Sequence, residues 1–328
     1  MNITKWLFAL GASVSISFVA SAFEPNAIEA FEQKNYQQAK TLFKDHKELA
    51  EKNYYLGRIA IIENKLDDAE DYLEKAVELK SKNADYHYWF GYLNLRQAAN
   101  ASIFTAPGYA SDAREHLSKA VELQPDHLKA LRSLVSFYIN APSIAGGSVK
   151  KAQALVEKIS SVSNEEGLIT QLQIYQEEEE KEEELKVAEQ LEKNHSDSAR
   201  ALLKAGFSYQ GQQQYQAAFR AFEKASKISS EEDKFSPLSA LYQIGRTASL
   251  SKQEVELGIK AFNQYLTLEI DSNLPSKNWA RYRLAILLQT QGKIEKAIEN
   301  AKLASKDEAD NSLRRQAKKL LGELKNMS

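Results

Sequence analysis

One pattern of small and apolar residues recurs along the chain at a fixed spacing. Counted from Gly206, such residues follow 3, 12, 16 and 19 positions later, and the same offsets hold from Gly57 and from Ala285. The positions so marked are Tyr209, Ala218, Phe222 and Ala225; Ala60, Ala69, Leu73 and Ala76; and Leu288, Ala297, Ala301 and Ala304. Apolar residues three to four apart indicate amphipathic helices, and the recurrence predicts an array of similar helix pairs.

The smallest residues of the pattern mark where the two helices of a pair cross. On the first helix they are Gly57, Gly91, Gly206, Gly245 and Ala285, and on the second helix Ala69, Ala113, Ala152, Ala218 and Ala297. One such pair cannot bury its apolar face alone, so several must stack to form a continuous core.

These residues resemble the tetratricopeptide repeat, a helix–turn–helix unit of about 34 residues. The resemblance implies an all-α, right-handed superhelical solenoid, and we count about eight units closed by a capping helix from Ser312 to Leu324. We expect an N-terminal array over 23–163 and a C-terminal array over 164–328. The poorest repeat, the fifth, carries the acidic run Glu177–Glu184, which predicts a solvated connecting helix or a site for a cation or a basic partner.

Two insertions separate the helices of the third and fourth units. Residues 98–112 and 140–150 both contain Ala-Pro and are expected as loops on the same edge of the array, in contact with each other. Gly146-Gly147 either packs the second loop or forms an anion-binding nest of backbone N–H groups.

The N-terminus has the pattern of an export signal. Lys5 precedes an apolar run from Trp6 to Ala20, and Ala20-Ser21-Ala22 matches a cleavage site. We expect removal of residues 1–22, a mature chain from Phe23 without a membrane span, and a periplasmic or secreted location. An uncleaved anchor is the alternative.

Composition and motifs exclude several functions. The chain has 43 Lys+Arg against 45 Asp+Glu and no Cys, which argues against nucleic-acid binding by bulk charge and against thiol or Cys-metal chemistry. It has no nucleophile, phosphate-loop or metal motif, so we expect no enzyme, cofactor or metal site. Asp112 and His116, one helical turn apart, are read as a surface pair rather than as two metal ligands.

The predicted function is a protein–protein interaction module in envelope assembly, secretion or regulation. The first helices of such an array line its concave side, where a row of tyrosines is followed by basic residues that suit a protein segment with acidic side chains or a C-terminal carboxylate. The predicted groove residues are Tyr54, Arg58, Asp85, Tyr88, Tyr92, Arg96, Lys129, Arg132 and Ser136. A structural or oligomeric scaffold is the alternative, followed by an envelope enzyme or a small-ligand binder; the sequence leaves the partner and the oligomeric state open.

Overall fold

The computed structural model describes residues 26–229 and 233–327, and these residues form 17 α-helices, one short 3-10 helix and no strand. The expected leader 1–22 and its cleavage site lie outside the described residues. No helix in the described part of the chain is long and apolar enough to cross a membrane.

The chain divides after Ser81 into two compact units. Unit 1 contains four helices: α1 Ala27–Glu32, α2 Tyr36–Phe43, α3 Leu49–Ile62 and α4 Leu66–Leu79. Unit 2 begins at Lys82 and contains the other thirteen. They are α5 Ala84–Asn100, α6 Ala106–Leu123, α7 Leu128–Asn140, α8 Val149–Val162, α9 Asn164–Glu177, α10 Lys181–Asn194, α11 Ala199–Gly211, α12 Tyr215–Lys227, α13 Phe235–Ser251, α14 Val255–Thr267, α15 Lys277–Thr290, α16 Ile294–Ala304 and α17 Asn311–Lys325.

The helices pair as the repeat predicts. Each odd-numbered helix from α1 to α15 packs on the helix that follows it, which confirms eight pairs in the described residues, and α17 packs on α15 and α16 as the terminal helix. In unit 2 the first helices of successive pairs also contact one another, from α5 through α7, α9, α11 and α13 to α15. The fold is therefore an all-helical repeat solenoid, and the row of first helices in unit 2 forms one face.

The small residues lie at the helix crossings, as predicted. A Cβ atom added at Gly206 would lie 2.4 Å from the Phe222 ring, and one added at Gly245 would lie 2.5 Å from Phe262. Gly57 meets Leu73 in the same way. The alanines predicted on the second helices are Ala69, Ala113, Ala152, Ala218 and Ala297, and all are fully buried. The small residues of the repeat pattern thus mark the positions at which the two helices of a pair approach each other closely.

Many buried apolar residues of unit 2 belong to one of two clusters. One is centred on α7 and α8, where Leu134 and Ile159 are buried; the other runs from α9 to α17. Helix α9 contributes to both, with Leu172 in the second cluster and Ile174 in the first. The predicted division between residues 163 and 164 stays a prediction. Helix α9, which begins at Asn164, contributes to both cores.

The first insertion is not the loop that we expected. Helix α5 extends to Asn100 and α6 begins at Ala106, so only residues 101–105 connect them. Pro107 lies in the first turn of α6, where a proline is favoured because that N–H has no helical partner. The Ala-Pro pair therefore begins a helix and the insertion lengthens both helices.

The second insertion is a loop, and it packs against α6. Residues 143–145 form a short 3-10 helix, and the Arg114 side chain of α6 lies beside Gly146. The N–H groups of Gly146, Gly147 and Ser148 donate to the carbonyls of Ser143, Pro142 and Tyr138. With these donors used, the loop is a packing device and not an anion nest.

The acidic run is not one continuous helix. Helix α9 ends at Glu177, Glu179 has a left-handed φ of 56°, and α10 begins at Lys181. The run also joins neighbouring helices, because Glu184 accepts hydrogen bonds from Gln176 of α9 (2.9 Å) and Gln212 beyond α11 (2.6 Å). It is the turn of the fifth helix pair, and the expectation of a connecting helix was wrong.

Candidate functional site

A groove of about 940 Å³ runs across the first helices of unit 2. We call it the unit 2 groove; its wall is built by α5, α7, α9, α11 and α13. Its lining residues are Tyr88, Lys129, Arg132, Ser133, Val135, Ser136, Ile139, Asn140, Glu166, Ile169, Thr170, Gln173, Gln176, Glu177, Arg200, Leu203, Lys204, Phe207, Phe235, Ser236 and Ser239.

Helical spacing explains why these residues share one face. On α11 the lining positions are Arg200, Leu203, Lys204 and Phe207, three to four residues apart, so they follow one side of the helix. The opposite side of α11 packs in the core through residues such as Leu202. The same first-helix face is presented by each neighbouring pair, which makes the groove continuous.

The centre of the groove holds one carboxylate between two arginines. Arg132 Nη1 of α7 donates to Glu166 Oε1 of α9 at 3.0 Å, and Arg200 Nη2 of α11 lies 2.6 Å from the same oxygen. Arg200 Nε also donates to Glu165 Oε1 at 3.2 Å. Burial lowers the pKa of Arg200, but the hydrogen bonds and charges of Glu166 and Glu165 outweigh it and raise the pKa overall. These ion pairs fix both guanidinium groups at the groove wall.

Lys204 lies beside this cluster without an ion pair to any residue in the described ranges. Burial lowers the pKa of Lys204, and the positive charges of Arg200 and Arg132 lower it further, while Glu166 only partly opposes them. A lysine desolvated beside two arginines is an unfavourable arrangement for the free protein, and an added anion would relieve it.

The groove combines positive charge with apolar contact surface. Its cations are Lys129, Arg132, Arg200 and Lys204, and its carboxylates are Glu166 and Glu177, so four positive charges face two negative ones. Phe207 lies among them, and Phe235 at the start of α13 is 46% exposed. Such a surface can hold an extended chain by its apolar side chains and its carboxylates.

Four of the predicted groove residues lie in this groove: Tyr88, Lys129, Arg132 and Ser136. Lys129 and Arg132 are exposed and Arg132 belongs to the central cluster. Tyr88 is only 8% exposed, and its ring lies 5.1 Å from that of His127. The tyrosine therefore forms part of the wall, while the two cations reach the open space.

Three others lie on α5 but outside the lining. Asp85 Oδ1 lies 3.2 Å from Nε2 of His127. The Tyr92 ring packs edge-on against Trp89 at 5.5 Å. Arg96, towards the end of α5, is half-buried. The tyrosines of this helix thus pack on neighbouring rings.

Tyr54 and Arg58 belong to unit 1. Tyr54 is 8% exposed, and Arg58 Nη1 donates to its hydroxyl at 3.1 Å. The Arg58 guanidinium lies 4.3 Å from the centre of the Phe31 ring. Both side chains take part in the packing of unit 1, and their role in binding a partner stays a prediction.

Sequence reasoning missed the groove residues of the next repeats. It followed the inward-facing register only as far as Ser136. The same offsets, counted from Leu172 and Gly206, lead to the lining residues Glu166, Ile169 and Gln173 on α9 and Arg200, Leu203 and Phe207 on α11. Thr170 and Lys204 each follow one of these positions and also line the groove. The signal was present, because the small-residue pattern fixes which face of each first helix is open.

The histidines are arranged differently from the predicted Asp112–His116 pair. His116 Nδ1 of α6 lies 2.9 Å from His87 Nδ1 of α5, with the two rings stacked 5.1 Å apart. Burial lowers the pKa of His116, and the charge of His87 adds to the effect. Within the described ranges no group of three or more His, Asp or Glu side chains could hold a metal ion.

Residues 50–83, which include α3 and α4, match the profile of the tetratricopeptide repeat. No curated protein matches the chain in sequence. Among solved structures it is similar to yeast Tom70, with 12% identity and a TM-score of 0.64, over 90% of this chain and 59% of that one. It thus spans less than two thirds of that structure's length.

A second similar structure is a monomeric mutant of IFIT1 solved with the capped oligonucleotide m7Gppp-AAAA. The identity is 15% and the TM-score 0.53, over 92% of this chain and 72% of that one. A tetratricopeptide repeat protein from Parabacteroides merdae has 14% identity and a TM-score of 0.48, over 84% of this chain and 99% of that one. Likeness to Tom70 and IFIT1 at this identity establishes the helical-repeat fold.

Proposed function

We propose that the chain is a protein–protein interaction module whose unit 2 groove binds an extended protein segment through that segment's carboxylates. The observation that carries the proposal is the central cluster: Arg132 and Arg200 are fixed by Glu166, and Lys204 beside them has no carboxylate of its own in the described residues. Helical-repeat proteins of this type generally serve as interaction modules.

The groove suits a chain rather than a compact small molecule. It extends over five consecutive first helices, and exposed groups such as Phe235 and Lys129 lie at different helices along it. Neighbouring helices pack about 8–10 Å apart, so one ligand must be extended to reach several of them. An acidic side chain or a C-terminal carboxylate would enter at Lys204.

The test is a titration of the full-length protein with labelled peptides, followed by fluorescence polarisation. The probes are an acidic decapeptide with a free C-terminal carboxylate, its C-terminal amide, and a version in which Asn and Gln replace every Asp and Glu. We expect the acidic probe to bind and the Asn/Gln probe to bind about tenfold or more weakly. The amide probe separates a terminal carboxylate from side-chain carboxylates.

Lys204→Met tests the site itself. It removes the charge and keeps the length of the side chain, so we expect about a tenfold weaker affinity for the acidic probe with an unchanged helical spectrum. Lys193→Met is the matched control, since Lys193 is an exposed lysine of α10 outside the groove lining. Equal affinities of the wild type and Lys204→Met would refute the proposal.

Export is a second part of the proposal. It is supported by the single Lys5, the apolar run after it and the small residues Ala20 and Ala22. Intact-mass analysis of the protein recovered from the periplasm is expected to give a chain starting at Phe23. Recovery of the full-length chain from the cytoplasm or from the membrane would contradict this part alone.

A further inference from the structure

Arg246 and Arg283 lie outside the unit 2 groove and have no carboxylate partner among the residues that the structure describes. Arg246 of α13 and Arg283 of α15 are both partly buried, and neither forms an ion pair with a residue of the described ranges. Arg246 is seven residues after the groove residue Ser239, or about 10 Å further along α13. The two arginines therefore form a separate cluster of positive charge.

Neutral groups hold both guanidinium groups in place. Arg246 Nη1 donates to the amide oxygens of Gln210 on α11 and, at 3.4 Å, of Gln243 on its own helix. Arg283 Nε donates to the Tyr242 hydroxyl at 3.2 Å, and its Nη1 donates to Ser249 Oγ at 3.3 Å. Because Tyr242 and Ser249 flank Arg246 on α13, these bonds bring the second guanidinium to the side of the first.

The cluster retains donors for a ligand. In the described residues neither Nη2 group of the two arginines has an acceptor, although each nitrogen carries two N–H donors. Burial lowers the pKa of Arg246 and the nearby charge of Arg283 lowers it further. Two partly buried charges of one sign are costly to hold together without a counter-ion.

We propose that Arg246 and Arg283 form an anion site that binds a doubly charged oxyanion of the phosphate class. A carboxylate would balance one guanidinium, whereas a phosphate group carries about −1.5 to −2 charges at pH 7 and three acceptor oxygens. The planar fork of each arginine matches two phosphate oxygens. The Tyr242 and Ser249 hydroxyls hold Arg283 so that its remaining N–H groups are oriented before the anion arrives.

Trp279 provides a local reporter for this site. The Arg283 guanidinium lies 5.6 Å from the centre of its ring. The chain has three tryptophans, Trp6, Trp89 and Trp279, so replacing the first two by Phe leaves one indole beside the site. Its fluorescence in the full-length protein is followed while inorganic phosphate, glycerol phosphate or acetate is added at constant ionic strength.

We expect the Trp279 fluorescence to change saturably with phosphate and to stay constant with acetate. Saturation by inorganic phosphate alone indicates a site for the free ion, and saturation by glycerol phosphate as well indicates that an esterified phosphate can enter; both support the proposal. Arg246→Met should raise the apparent Kd about tenfold or more without touching Trp279. Arg246→Lys keeps the charge but loses the planar guanidinium fork, so its apparent Kd should lie between those of the wild type and Arg246→Met.

Arg281→Met is the control, because Arg281 lies on α15 with Arg283 and donates to Asn278 instead. A linear response to phosphate, an equal response to acetate, or an unchanged Kd in a folded Arg246→Met or Arg246→Lys would overturn the proposal. Lys204→Met should leave this titration unchanged while it weakens the acidic peptide, so the two proposals can fail separately.

Discussion

Gly206→Ala tests the packing of the repeat with the smallest possible change. Gly206 lies on α11 where α12 crosses it, and an added Cβ would lie 2.4, 2.6 and 2.9 Å from three atoms of the Phe222 ring. Carbon atoms in contact are normally about 3.5–4.0 Å apart. The ring must therefore move by about 1 Å, although Phe222 is fully buried.

Two effects of opposite sign determine the change in the free energy of unfolding that Gly206→Ala causes. Alanine is favoured over glycine in a helix by up to about 1 kcal/mol, whereas overpacking a well-filled core typically costs about 1–3 kcal/mol. We expect a net loss of about 1 kcal/mol for Gly206→Ala. The eighth pair has Ala285 and, at the same offset of 16 residues, Ala301 instead of a phenylalanine, which indicates that a methyl group at the crossing requires a small partner.

Gly211→Ala is the control on the same helix, because a Cβ there meets no atom within 4 Å. Thermal unfolding followed by circular dichroism should place the Tm of Gly206→Ala several degrees below that of Gly211→Ala, given that 1 kcal/mol shifts Tm by about 2–4 °C in a domain of about 150–250 residues. Phe222→Leu should recover part of the loss in the double variant. Equal Tm values for the two alanine variants would show that the crossing is not closely packed.

Three further changes test the electrostatics. Glu166→Gln is expected to strengthen binding of the acidic decapeptide severalfold, because Glu166 competes with the ligand for Arg132 and Arg200. The same change should lower the Tm, because it removes the ion pairs that Glu166 forms with them. Fluorescence polarisation measures the affinity and thermal unfolding the Tm, and an affinity and a Tm that both rise or both fall would contradict the prediction. Lys204→Met should unfold at the same Tm as the wild type or higher, since it removes a desolvated cation. Urea unfolding should show stability falling as the pH drops through about 6.5, because the pKa of His116 is lowered and the unfolded chain binds that proton first. A second loss is expected between pH 4.5 and about 2, since hydrogen bonds from Arg220 hold the pKa of Glu192 at about 2; His116→Phe should abolish only the first loss, and a stability that is flat with pH would contradict both.

The repeat could be predicted because close helix packing restricts certain positions of the sequence to small residues. Glycine or alanine is required where two helices touch, so Gly206 and Ala218 mark a crossing wherever their spacing recurs. The eight helix pairs and the terminal helix were predicted from that recurring spacing. The loop at residues 98–112 was predicted wrongly because proline is compatible with the first turn of a helix, and a local pattern does not distinguish a helix start from a helix break.

The groove was predicted only in part for a different reason. Residue type alone favoured the tyrosines of α5, but a tyrosine has enough apolar surface to pack in a wall, as Tyr88 does. The charges that matter are set by contacts between helices: Glu166 of α9 pairs with Arg132 of α7 and Arg200 of α11, which are 34 residues on either side. Those pairings leave Lys204, beside the two arginines, without a carboxylate among the described residues, and no single repeat shows this.

The most direct test of the carboxylate-binding groove is a charge exchange measured as a ratio of affinities. Lys129→Glu/Arg132→Glu reverses two exposed cations of the lining and leaves Glu166 paired with Arg200. The Kd values of the acidic decapeptide and of its counterpart with Lys at each acidic position are measured for the wild type, for this variant and for Arg96→Glu, which lies outside the lining. We predict that the wild type and Arg96→Glu prefer the acidic peptide and that the double variant prefers the lysine peptide. An unchanged preference in the folded double variant would contradict the account.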